Sequence, residues 1–212
     1  MSVTEIEQVG TYRLASAKRR IHSFLLEIDR LRSSGFPHSD GRQALDEIRN
    51  KFEALNKDLD LVDISKTEDT NGAISQISVE LSFYTPILGF ILRSTNLRNT
   101  FELHYSLKSL VKKLIGDDAR LILSSEWDWS PFTYSISLDG LRNYVFIAGP
   151  APEASNVLIS PLAGHEIGHA VWKFFGFGRR VQSELSDIIF DIIDHAPELY
   201  KKLPILSIGD LG

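Results

Sequence analysis

Two runs of apolar residues near the N-terminus constrain the fold more than any other feature of the chain. In the first, Ala17, Ile21, Phe24, Ile28 and Leu31 recur with 4-3-4-3 spacing; in the second, Leu45, Ile48, Phe52, Leu55 and Leu59 recur with 3-4-3-4 spacing. A helical turn brings positions at these intervals to one side, so each run predicts a helix with a single apolar seam. Between the two runs, SSGFPHSDG at Ser33 to Gly41 gathers residues that interrupt helices. So short a connection predicts an antiparallel helical hairpin whose seams meet or lie against the rest of the protein. Self-association or partner association through these N-terminal helices is a further expectation.

Beyond the hairpin, a polar stretch from Asp63 to Gly72 reads as a linker, which predicts a helical arm over 1–62 and a second domain over 73–212. Residues Ala73 to Leu92 and Leu97 to Ile115 predict helices, the first kinked or broken by Pro86 and Gly89. The period then changes. Arg120 to Ser124, Phe132 to Ser137 and Tyr144 to Ala148 are short and rich in β-branched and aromatic residues, with turn chemistry at Asp139-Gly140. These runs predict a small antiparallel sheet with a hairpin.

After Pro152 a helix or half-helix is expected over Glu153 to Ile159, then a cap at Ser160-Pro161 and a helix over Leu162 to Phe175. Gly176-Phe177-Gly178 ends it, and Arg179 to His195 predicts one more. The fold class is therefore α+β and mainly helical, with the sheet packed by the helix over Leu162 to Phe175.

The formal net charge of −5 supplies no broad positive field, which argues against nucleic acid as a partner. Basic clusters at Lys18-Arg19-Arg20, Lys112-Lys113 and Lys201-Lys202 have acidic neighbours and read as solvated helix faces. The absence of cysteine removes disulfides, thiolate ligands and cysteine nucleophiles together, and is consistent with a cytoplasmic location. MSVTEIEQVGTYRL lacks the apolar core of a signal peptide, and no apolar run approaches the ~20 residues of a membrane helix, so no membrane partner is expected.

Chemistry concentrates in one place. His165 and His169 stand at i and i+4 in a predicted helix, one turn apart on one face, where two imidazoles can grip one ion. Zinc suits nitrogen ligands in a tetrahedral site that leaves a position for water, so Zn2+ is the expected cofactor. Glu166 is the next residue, placed to take a proton from that water and return it to a leaving amine.

The string HEIGH matches HExxH and resembles the active-site helix of the zincin metallopeptidases. The resemblance implies a zinc peptidase acting on a peptide or protein substrate, with His165 and His169 as metal ligands and Glu166 as general base. Metzincins would need glycine at 172 and histidine at 175, where this chain has Trp172 and Phe175; peptide deformylases would need a cysteine ligand. What remains is similar to the gluzincins or aspzincins, whose third ligand is a carboxylate on a later helix. In QSELSDIIFDIIDH, Glu184, Asp187, Asp191 and Asp194 form one acidic face. Glu184 and Asp187 are the candidate third ligands, and Asp191 a partner for a ligating histidine.

The resemblance also implies a longer helical portion after HExxH. The chain is thus expected to be either an N-terminal fragment of a longer protein or a naturally short version, with the third ligand either on this acidic face or on a segment that is missing. Without a third ligand, the alternative is an inactive peptidase-like regulatory or interaction protein. Tyr134, Tyr144, His195 and Tyr200 are further candidates for hydrogen-bonding an oxyanion, set against packing or surface roles. Trp127 and Trp129 could line a cleft, and His22, His38 and His104 have no partner spacing.

Overall fold

The computed structural model describes residues 3–95, 101–126, 132–133, 139–153 and 156–195. The chain divides into two compact units, Met1–His169 and Ala170–Gly212.

In the first unit, α1 (Val3–Arg32) and α2 (Ser39–Asp58) form the hairpin that the seams require. Arg49 of α2 bonds Asp29 of α1 at 2.9 Å, Phe24 meets Phe52 with ring centroids 4.4 Å apart, and Lys18 pairs with Asp60 just past α2. Contacts that run backwards in sequence in this way define an antiparallel pair. Ala17, Ile21, Ile28, Leu45, Ile48, Phe52, Leu55 and Leu59 are all buried, so both seams face inward.

The seams do not close on each other alone. They share one core with α3 (Thr67–Arg93), which contributes Ile77, Leu81, Tyr84, Ile87, Leu88, Phe90 and Ile91, and with Ile122, Phe146 and Ala148 of the strands. α3 runs parallel to α1, as Arg13–Asn71 at 2.6 Å and Arg20–Ser78 at 3.0 Å show. It begins inside the stretch expected to be a linker. It also continues through Pro86 and Gly89 without interruption. Proline removes one intrahelical donor there, and packing on the buried face outweighs the loss. By length and composition alone α3 could cross a membrane, but its buried face is committed to this core.

α4 (Phe101–Ile115) packs on β1 (Arg120–Glu126). The sheet corrects the expected antiparallel arrangement. Its order is β1-β3-β2; β3 (Tyr144–Pro150) pairs with β1 in parallel, with Ile122 opposite Phe146, and only the two-residue β2 (Phe132–Thr133) runs antiparallel to β3. The physical reason lies in the strands themselves. Leu121 to Ser124 and Val145 to Ala148 are continuously buried rather than alternately so, as expected of parallel strands covered on both faces. Asp139-Gly140 forms a 3-10 turn with Leu141 ahead of β3. The remainder of the expected hairpin lies outside the described residues.

Two 3-10 turns, Ala151–Glu153 and Val157–Ile159, replace the short helix expected before α5 (Ser160–Phe174). An apolar cavity lined by Leu123, Ile147, Ala148, Ile159 and Ala163 lies between the sheet and the start of α5. Ala163 and Ile167 are buried, so α5 turns that face to the interior.

In the second unit, α6 (Phe177–His195) follows Gly176, whose φ of +63° is a left-handed conformation that glycine adopts without a Cβ penalty. Its apolar residues Val181, Leu185, Ile188 and Phe190 are exposed.

Candidate metal centre

The helix that carries HEIGH begins where the sequence sets it, with Ser160 and Pro161 opening α5. Proline at the first helical position loses no hydrogen bond that the helix would otherwise make. From there the helical period sorts the side chains. Ala163, Glu166 and Ile167 lie on the buried stripe, whereas His165 and His169 are exposed together one turn apart.

The two imidazoles converge. Nε2 of His165 lies 3.1 Å from Nε2 of His169, and the rings meet edge to face with centroids 4.7 Å apart and planes at 87°. The ligand atoms of His165, Glu166 and His169 all fall within 4.8 Å of one another, forming a group that could hold a metal ion. A tetrahedral ion with nitrogen bonds of about 2.0–2.1 Å requires its two nitrogens about 3.3–3.4 Å apart. The observed span of 3.1 Å meets that requirement with a slightly narrower angle at the ion. The donor set of two neutral-capable nitrogens and one carboxylate is also one that accepts zinc.

Glu166 is the residue whose setting the sequence did not reveal. It is 8% exposed, and among the described residues no hydrogen bond or ion pair reaches its carboxylate. The signal was present in the spacing: Ala163, Glu166, Ile167 and Ala170 stand at i, i+3, i+4 and i+7. The arrangement thus presents two nitrogen ligands to solvent beside an acid held against the interior.

The other candidates are placed as follows. Glu184 and Asp187 are exposed on α6 in the second unit, as is Asp191. Tyr144 is committed elsewhere, its hydroxyl donating to Glu47 Oε1 at 3.0 Å and accepting from Arg120 Nε at 3.1 Å; burial first, and then the neighbouring Glu47, pushes its pKa up. Tyr134, Tyr200, Trp127 and Trp129 lie outside the described residues, as does the side chain of His195. His22 is exposed, whereas His38 and His104 stack on each other.

No family model matches the chain, and neither a curated protein nor a solved structure matches it. The functional reading therefore rests on the site itself.

Proposed function

We propose that the chain is a zinc-dependent hydrolase of peptide bonds, with His165 and His169 as metal ligands and Glu166 as the proton-transfer group. One observation carries this reading: two ring nitrogens 3.1 Å apart at the surface, with a buried carboxylate inside the same 4.8 Å group. Zinc, when bound, supplies Lewis-acid polarisation of a carbonyl and acidifies water.

The residues of this chain do the rest. His165 and His169 fix the ion's position through one rigid helical turn. The Glu166 carboxylate takes one proton as water oxygen adds to the carbonyl carbon. It then delivers that proton to the amide nitrogen as the carbon–nitrogen bond breaks, which leaves a carboxyl group and an amine.

The test is hydrolysis of a mixed peptide pool by zinc-loaded protein. Removing a general base costs about 10²–10⁴-fold in rate, so Glu166→Gln is expected to lower cleavage by that factor while keeping zinc. Cleavage unaffected by this change rules out Glu166 as the base. A second reading is a metal-binding regulatory or interaction protein, favoured by how little of Glu166 reaches solvent at 8% exposure. It predicts zinc binding with no cleavage in either form.

A further inference from the structure

Two histidines with no motif spacing in the sequence come face to face in the first unit. The rings of His38, in the α1–α2 connection, and His104, on α4, are parallel within 4° and their centroids are 3.4 Å apart. His104 is 1% exposed, and its Nδ1 is buried without a hydrogen-bond partner among the described residues. Tyr105 closes the edge of both rings. A few ångströms of chain away, the buried Asp40 at the start of α2 accepts from Lys108 Nζ at 2.8 Å and from the Leu121 N–H of β1 at 3.0 Å. The connection is folded tightly here, since a Cβ on Gly41 would meet the Phe36 ring at 2.8 Å.

We propose that the His38–His104 stack is an acid-operated latch that holds α4 against α2 and β1, and that protonating it releases α4. The charges around the pair define the logic. Asp40 of α2 is paired with Lys108 of α4, Tyr105 of α4 lies edge-on to the rings, Ser94 caps the end of α3, and β1 presents Leu121, Ile122 and Leu123. A proton on His104 places a positive charge on a buried ring in apolar surroundings, where Asp40 offsets it only in part and Lys108 opposes it, so it costs more there than in water. It also turns the orphaned Nδ1 into a buried donor with no acceptor. Consistent with this geometry, burial and then the facing His38 push His104 down to about 4, and burial lowers His38 as well.

The latch adjoins a second cavity under α4. Leu103 and Leu107, which flank His104 on that helix, line the apolar cavity that also meets Ile159 and Ala163 of α5 and its approach. Release of α4 therefore opens the cavity behind the helix that carries His165 and His169. That this regulates a metal centre rests on the function proposed above; the latch itself does not.

The test reads α4 directly, in full-length protein with a chelator present, so its outcome is independent of any metal or hydrolysis. A ring whose value falls from 6.5 to about 4 on folding favours the native state at neutral pH, and that advantage is lost as pH falls from 6.5 towards 4. Between about pH 7 and about pH 5 the open fraction of α4 should rise about 20-fold, seen as an equal loss of amide hydrogen-exchange protection over residues 103–115. His104→Phe, which keeps a stacking ring without a proton site, should remove most of that change. Loss of the same size in H104F, or no loss in the natural protein, overturns the proposal. If H104F does not fold, NMR titration of the natural protein decides: a His104 ring with its midpoint near 6.5 overturns the latch, and one near about 4 supports it.

Discussion

Replacing Asp40 by alanine should be among the most damaging single changes in this protein. Its carboxylate is 4% exposed and holds three elements at once: it belongs to α2, accepts from Lys108 of α4 at 2.8 Å, and accepts from the Leu121 N–H of β1 at 3.0 Å. Alanine leaves a buried backbone donor and a partly buried ammonium without partners. Breaking a buried charge pair by removing one member costs about 3–5 kcal/mol, and the lower end applies because Lys108, at 26% side-chain exposure, can turn to water. A loss of about 3 kcal/mol lowers the folded-to-unfolded ratio by about two orders of magnitude. Asp40→Asn should cost less, about 1–2 kcal/mol, since the amide oxygen still accepts from Leu121. Urea titration followed by far-UV circular dichroism measures both. If D40A lies within about 0.5 kcal/mol of the natural protein, the carboxylate does not tie these elements together and the reasoning fails.

Two further changes probe the architecture. Phe52 is fully buried between Phe24 and Tyr84, with ring centroids 4.4 and 5.5 Å away, so Phe52→Ala should cost about 3–5 kcal/mol in the same titration; a loss below about 1 kcal/mol contradicts the shared core. Gly176 holds φ at +63° between α5 and α6, so Gly176→Ala should cost about 1 kcal/mol, and a gain in stability contradicts the left-handed cap.

Much of the helical framework was legible in the chain. The seams from Ala17 to Leu31 and from Leu45 to Leu59 specify both helices and their inward faces, because burial enforces a period that few other folds share. α5 was legible for a related reason: Ser160-Pro161 opens it and Gly176 closes it. The strand direction was not. Short apolar runs carry no record of the direction in which they pair, so the parallel pairing of β1 with β3 could not be read, whereas β2 does run antiparallel to β3 on the far side of the turn residues Asp139-Gly140. At the site, a helical repeat is enough to bring His165 and His169 together, so their convergence could be read directly. The stacking of His38 on His104 could not, since it depends on how the α1–α2 connection folds onto α4, a contact between residues far apart in sequence.

Calorimetric titration of the purified chain with zinc, alongside H165A, H169A and E166Q, tests the metal centre most directly. Two ring nitrogens 3.1 Å apart predict one zinc per chain, binding abolished by either histidine change and retained when Glu166 becomes glutamine. Zinc uptake that is unchanged in H165A and H169A would contradict the assignment of these rings as ligands, and the hydrolase built on them with it.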